Sequence, residues 1–384
     1  MLLAGAALGR VALMHLPRHM GIYHLYAEAG RHWLAGESVY ADRDGLVFRY
    51  SPLVAAAMTP LAILPPWLGN LLFRLVNLGV YMAGLWYWMR WALPPEVSAH
   101  RRHVAVLWLL VVPLSVSGLV DVQTNALTIG LLLLAVGAVA RQQWNLAAAC
   151  LVGAVLLKLF PLALVLVLVL IFPRRLGPRF LAALLVGLAL PFLLQRPDFV
   201  LHEYARWSHL LMLNDRQGGN LNYWYRDIRL PLYHLGLLVG PGLYLVLQAL
   251  VGGALGALCL WQRWGGVPTA VLLRSGFGLT CAWMMAFGPC TEQTTYIMLA
   301  PALAWAALET LMEPQGWKWL VAMMIVYWGS VLIQALLWLP WGTAIHNYGP
   351  HGVATVTLLA LLWFQALREC RQAQVAVPAS LTVR

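Results

Sequence analysis

A lysine at position 158 stands between two long apolar runs, Leu146–Leu157 and Leu162–Phe172. An ammonium group is costly in that setting unless it meets an anion or a polar cavity. Pro161 follows closely and removes a backbone donor, which predicts a helix break beside the charge. A phosphate or carboxylate partner is the chemistry this arrangement suits; snorkelling to the membrane surface is the plain alternative. Arg49 opens the sequence Arg49-Tyr50-Ser51-Pro52 at the start of another apolar run. Its guanidinium suits bidentate phosphate binding, or else anchors a helix start at the interface. Arg206 is the third candidate phosphate ligand.

Moving a hydroxyl proton needs a base, and a carboxylate can serve as one. Four of the fourteen carboxylates, Glu28, Glu37, Asp42 and Asp44, fall within Gly21–Leu64. Glu28 and Asp42 are candidate bases, with Asp44 beside them; a solvated loop charge is the alternative for each. Glu37 lies in a Gly-Glu-Ser turn and reads as structural. Glu292, followed by Gln293, Thr294 and Thr295, is the third candidate base, or a cap for the run from Tyr296. Asp121, Gln123 and Asn125 sit between two apolar runs. Asp121 and Asn125 are four residues apart and share a face if the turn is helical. Capping would use only one of these three groups, which favours binding of sugar or acceptor hydroxyls. Tyr50, Asn220 and Trp224 suit the same task by stacking and hydrogen bonding, with an interfacial aromatic belt as the alternative. Gly218-Gly219 marks a turn and is not a nucleotide fingerprint.

The frame around these groups is set by composition. Of 384 residues, 61% are hydrophobic and 10% charged, against roughly 25% charged in soluble domains. The chain therefore reads as an all-α polytopic integral membrane protein. Its net charge of +11 comes from arginines in short loops between apolar runs. That is a positive-inside pattern, not a nucleic-acid surface. The five cysteines have no paired spacing and imply neither disulfides nor a metal site.

Hydropathy and arginine placement predict about twelve transmembrane helices forming a single domain over residues 1–384, with both termini cytoplasmic. Met1–Leu16 reads as a short first span, with residues preceding Met1 an open alternative. Residues 17–66 form a first outer loop with two juxtamembrane helices. One is amphipathic on Tyr23, Tyr26, Ala27, Gly30, Trp33 and Leu34 and lies on the interface. The other covers Ser51–Leu64. Pro173–Arg179 is the most basic inner loop, and 195–230 the second large outer loop. Every candidate group above falls on the outer side.

These motifs, in this order, resemble the membrane glycosyltransferases of the GT-C superfold, and within it the polyprenyl-phosphate-mannose-dependent mannosyltransferases of glycosyltransferase family 87. The resemblance rests on Tyr26-Ala27-Glu28-Ala29-Gly30, Leu34-Ala35-Gly36, Tyr40 and Tyr50-Ser51-Pro52. Val122-Gln123-Thr124-Asn125 is similar to a Gly-Gln-x-Asn turn, Lys158-Leu159-Phe160-Pro161 to Lys-x-x-Pro, and Gly288-Pro289 to a Ser-Pro element. Two positions depart from the pattern. The family places an Asp four residues before the first tyrosine, where this chain has Ile22. It also places a His after Ser-Pro, where Glu292–Thr295 stand.

The resemblance implies transfer of a hexose, with mannose expected, from a polyprenyl phosphate to a glycolipid or glycan acceptor. Transfer would occur with inversion at the extracytoplasmic face of a bacterial plasma membrane. Arg49, Lys158 and Arg206 would hold the phosphate, and Glu28, Asp42 or Glu292 would serve as base. The partners are the lipid-linked sugar, the acceptor and membrane lipids. No cofactor or metal is implied. A transporter or flippase of lipid-linked glycans, and a GT-C-like binding protein without catalysis, are the alternative readings.

Overall fold

The computed structural model of the chain describes residues 21–41, 48–212, 220–288, 291–312, 316–336, 339 and 342–376. The expected first span, Asp42, Asp44, Arg216, Gly218-Gly219, Pro289 and Cys290 lie outside them. The described residues contain helices and no strand. Two helices, α1 (Tyr23–Ala35) and α2 (Pro52–Ala62), precede the long apolar ones. Then come α3 (Pro66–Trp91), the short α4 (Pro95–Ala99), α5 (Arg101–Val120), α6 (Asn125–Ala140), α7 (Trp144–Leu157), α8 (Leu162–Ile171) and α9 (Pro173–Ala189). The second polar region carries α10 (Pro197–Met212) and α11 (Arg229–His234). The chain continues through α12 (Pro241–Trp264), α13 (Thr269–Phe287), α14 (Ala300–Met312), α15 (Trp317–Leu336), α16 (Gly342–His346) and α17 (Pro350–Ala376).

Among the described residues, eight segments are long and apolar enough to cross a membrane: α3, α5, α9 extended to Leu193, α12, α13, α14 extended back to Gln293, α15, and α17 through Gln374. The shorter α6, α7 and α8 are apolar too. At about 1.5 Å per residue they fall short of a hydrocarbon core of about 30 Å. Exposed leucines, valines and tryptophans along α9, α12 and α15, such as Leu185, Leu250 and Trp328, form the faces that lipid must cover. The chain is an integral multi-pass membrane protein.

The helix α6 is buried on most of its faces and packs against α3, α7 and α13. Its contact with α3 is backbone on backbone. A Cβ on Gly84 would lie 2.3 Å from the carbonyl oxygen of Gly130, and one on Gly130 2.6 Å from that of Val80. Small residues permit such approach where no hydrophobic effect drives helices together. Asn77 of α3 also accepts from the Leu127 amide at 3.2 Å, occupying a free donor in the first turn of α6.

Several boundaries differ from the sequence reading. The basic stretch Pro173–Arg179 is the first two turns of α9, not a loop. The expected loop 195–230 contains α10, whose charged residues share their turns with Val200 and Trp207. The turn Asp121–Thr124 is not helical, so Asp121 and Asn125 do not share a helix face. The face of α1 expected to lie on lipid is buried against α2 and α3 through Tyr23, Tyr26, Ala27, Gly30 and Trp33, while Leu34 is exposed. A Cβ on Gly30 would come within 2.9 Å of the Ala62 Cβ, so α1 rests on α2 as closely as helices can.

Substituting Gly84→Leu forces α3 and α6 apart. It should destabilise the protein by about 1–3 kcal/mol or more, read as a lower thermal unfolding midpoint in detergent. Gly79→Leu, at a position with open space, should leave that midpoint nearly unchanged.

Candidate active site

The site is built on the turn between α5 and α6. Asp121 closes α5, and Val122 then adopts φ +58°, the left-handed region that a β-branched residue rarely enters. Thr124 occupies the N-cap position of α6 without a side-chain cap bond, so Asp121 does not cap that helix. The start of α1 holds the turn from outside. The Ile22 amide donates to the Asp121 carbonyl at 3.5 Å, and the Thr124 amide donates to the Tyr26 hydroxyl at 3.3 Å. Gly21 approaches so closely that a Cβ there would sit 2.7 Å from the Asp121 carbonyl oxygen.

This turn aims its polar side chains at two other elements. Lys158, just beyond α7, donates from Nζ to Asn125 Oδ1 at 2.6 Å. Asn125 Nδ2 donates to Gln123 Oε1 at 2.8 Å. Gln123 Nε2 then donates to both carboxylates, Asp121 Oδ2 at 3.2 Å and Glu292 Oε2 at 3.0 Å. One chain of hydrogen bonds thus runs from an ammonium through two amides to a carboxylate pair. Gln123 and Asn125 are buried, while Lys158, Asp121 and Glu292 keep partial exposure at the rim. Glu292 also forms a capping box with Thr295 at the 3-10 turn before α14. The cap reading of Glu292 is therefore correct, and the same side chain still reaches the cluster.

The segment Arg49–Ser51 forms the opposite wall. Lys158 Nζ lies 5.9 Å from the Tyr50 ring centre and 5.8 Å from that of Phe160, within cation–π range. The Tyr50 hydroxyl accepts from Tyr26 at 2.5 Å, and its carbonyl accepts from the Tyr40 hydroxyl at 2.7 Å. Ser51 donates to the Leu156 carbonyl at 2.7 Å, tying the start of α2 to the end of α7. Arg49 donates to the Tyr225 hydroxyl at 3.1 Å, and its carbonyl accepts from Trp207 Nε1 at 3.2 Å. The guanidinium thereby joins the first polar region to the second.

Burial pushes the Asp121 carboxyl up to about 6, and the negative charge of Glu292 pushes the same way. The Gln123 bond and the charges of Lys158 and Arg74 act in the opposite sense. A carboxylate near 6 can exchange protons at physiological pH.

Glu292, Lys158, Tyr50, Asp121, Gln123 and Asn125 are thus brought together, with Arg49 adjoining. Glu28 projects from the exposed back of α1. Arg206 donates to Glu203 at 3.2 Å, and Glu203, itself buried, accepts from the Val39 amide at 2.9 Å. That pair clamps the residues after α1 to α10. Asn220 is exposed and accepts from the Asn222 amide at 2.9 Å. Trp224 is buried, its ring centre 4.9 Å from that of Tyr233. Sequence reasoning overlooked Arg74, Tyr225 and Glu203. A charge inside the apolar α3 was a usable signal for Arg74; Tyr225 and Glu203 gave none. Among the described residues no group of three or more His, Cys, Asp or Glu is placed to hold a metal ion.

Comparison with known proteins gives one family. A model for glycosyltransferase family 87 matches residues 48–289. No curated protein matches by sequence. Among solved structures, the chain is similar to ArnT from Cupriavidus metallidurans bound to undecaprenyl phosphate, at 16% identity and a TM-score of 0.45. That alignment covers 95% of this chain and 77% of ArnT. The apo form of the same protein aligns at 14% identity and a TM-score of 0.44, covering 95% and 76%.

Asp121 links pH to stability. Its affinity for a proton is higher in the folded chain than the ordinary 3.8, so its contribution is complete below that pH and is lost as pH rises through about 6. Asp121→Asn removes this loss. The variant should be more stable than wild type above pH 6, by up to about 3 kcal/mol, and the advantage should shrink towards pH 4. Thermal unfolding of both proteins across pH 4–8 checks the sign.

Proposed function

The chain belongs to glycosyltransferase family 87 and is a membrane glycosyltransferase; from that premise we propose that it moves a hexose, mannose by the family resemblance, from a polyprenyl phosphate to a glycolipid or glycan acceptor. The observation that carries this reading is the hydrogen-bonded chain from Lys158 through Asn125 and Gln123 to Asp121 and Glu292. It sets a cation and a carboxylate pair at two ends of one partly exposed site. Glycosyl transfer asks for this separation. The leaving phosphate gains negative charge, which Lys158 and Arg49 stabilise as it develops. The acceptor hydroxyl must lose its proton on the far side of the sugar, where a carboxylate takes it. Attack opposite the leaving group inverts the anomeric carbon, by the logic of paired carboxylates in glycoside hydrolysis. Tyr50 supplies a ring beside the cation for the sugar to rest on.

An apolar groove between α8 and α12, lined by Leu166, Leu170, Gly252, Gly256 and Trp283, supports a lipid-linked donor. Ala163, two residues beyond the Lys158–Pro161 break, is among its lining residues. A phosphate at Lys158 would let an isoprenoid tail run down this groove within the bilayer. The arginines of α9 and α17 lie towards the other end, which supports an extracytoplasmic site by the positive-inside rule.

Purified protein in nanodiscs, given radiolabelled polyprenyl-phosphate mannose and a membrane glycolipid extract, should move label into a new glycolipid. Lys158→Met and Arg49→Leu should each lower kcat/KM for the donor by about 100-fold or more. Donor that binds without transferring label would favour a binding protein, and donor that does not bind at all would favour a transporter.

A further inference from the structure

Three carboxylates are candidate bases by sequence, and Asp121 is a candidate for binding sugar or acceptor hydroxyls. The geometry favours a different division. Glu28 lies on the exposed back of α1. Glu292 is committed twice, to the amide end of the 3-10 turn before α14 and to Gln123. The Glu292 amide also donates to the Thr295 hydroxyl at 3.1 Å, so its backbone and its side chain are both engaged in holding the turn. Asp121 differs on each count. Among the described residues, Gln123 provides the one hydrogen bond to its side chain. It sits in a turn of fixed, strained backbone, so its position does not depend on a flexible loop. Its backbone is in direct contact with Ile22 and Gly21. Ile22 is the position at which the family resemblance calls for an acid, and the Asp121 backbone adjoins it.

We propose that Asp121 is the catalytic base of the transfer, with Glu292 and Gln123 as the positioning residues that aim it; this rests on the transferase reading above. The acceptor hydroxyl gives its proton to the Asp121 carboxylate as its oxygen bonds to the anomeric carbon. The bond from that carbon to the phosphate oxygen breaks, and its electron pair leaves with the polyprenyl phosphate, opposite Lys158. Asp121 then returns the proton to water at the open rim. Glu292, Lys158 from the end of α7 and Arg74 from α3 are the charged groups that act on Asp121. Burial and then Glu292 raise its proton affinity, while Lys158 and Arg74 lower it, so removing the Glu292 charge should lower the active ionisation.

The test uses the full chain in nanodiscs with polyprenyl-phosphate mannose and the glycolipid extract, from pH 5 to 8. Wild type should lose kcat/KM below about pH 6. Asp121→Asn should lower kcat by 100- to 10,000-fold, the usual range for a lost general base (roughly), with donor KM little changed and no acid limb in the residual rate. Asp121→Gly should regain activity with added formate, a rescue that a merely structural aspartate would not show. Glu292→Gln keeps the cap and should shift the acid limb to lower pH. Full activity in Asp121→Asn, or loss of activity in Asp42→Asn with Asp121→Asn still active, would overturn the assignment while leaving the transferase reading intact. Wild type that releases no polyprenyl phosphate would overturn both.

Discussion

A single neutral amide holds the site together. Gln123 donates to Asp121 and Glu292 from the same nitrogen and accepts from Asn125 on its oxygen. Two carboxylates this close repel each other, and partial burial strengthens the repulsion. The amide hydrogens answer it without adding charge, which leaves the cation free to act at the other end through Asn125. A lysine or arginine in place of Gln123 would neutralise the pair directly and hold both acids ionised. The amide instead leaves one carboxylate able to take a proton.

Holding that amide in place requires three separate parts of the chain. The turn 121–125 brings Gln123 and Asn125, the end of α7 brings Lys158, and the approach to α14 brings Glu292. The tyrosines of α1 and its following segment lock the first of these to the wall at Arg49–Ser51, since Tyr26 bonds both Thr124 and Tyr50. The buried face of α1 is accordingly a scaffold for the site more than a membrane anchor. Its close approach to α2 at Gly30 has the same consequence. A shift of α1 would move Tyr26, and with it both the turn and the Tyr50 ring beside the ammonium.

Sequence revealed the members of this cluster better than it revealed their roles. Lys158, Asp121 and Glu292 stood out because a charge among apolar residues must be answered by something, and that cost is visible without a structure. The helical character of α1 was legible from its spacing, but not what its apolar face meets, since lipid and protein select the same residues. The left-handed backbone at Val122 was not legible, because valine is among the residues least suited to it. That backbone is what removed the expected shared face of Asp121 and Asn125 and joined them through Gln123 instead. Arg206 read as a phosphate ligand because its partner lay on the same helix, in α10, which the polar composition of that region concealed. Glu203, three residues earlier, accounts for it.

The opposite end of the bundle shows why charge in the membrane is not by itself a site. There Arg274 of α13 faces Glu309 of α14 at 3.9 Å, Gln365 donates to Glu309 at 2.7 Å, and Gln262 donates to Glu369 at 3.1 Å. This cluster also joins carboxylates, amides and a cation. Its cation and Glu309 answer each other directly, however, and its members come from long helices that bury them between their own faces. The arrangement joins α12, α13, α14 and α17 and leaves no separated pair of charges for a substrate to enter. At Lys158 the amides stand between cation and carboxylates, the elements are helix ends and turns, and the groups at both ends of the chain reach the rim. The two clusters have similar composition and differ in connectivity, and it is the separation of opposite charges by neutral amides that makes one of them suited to catalysis.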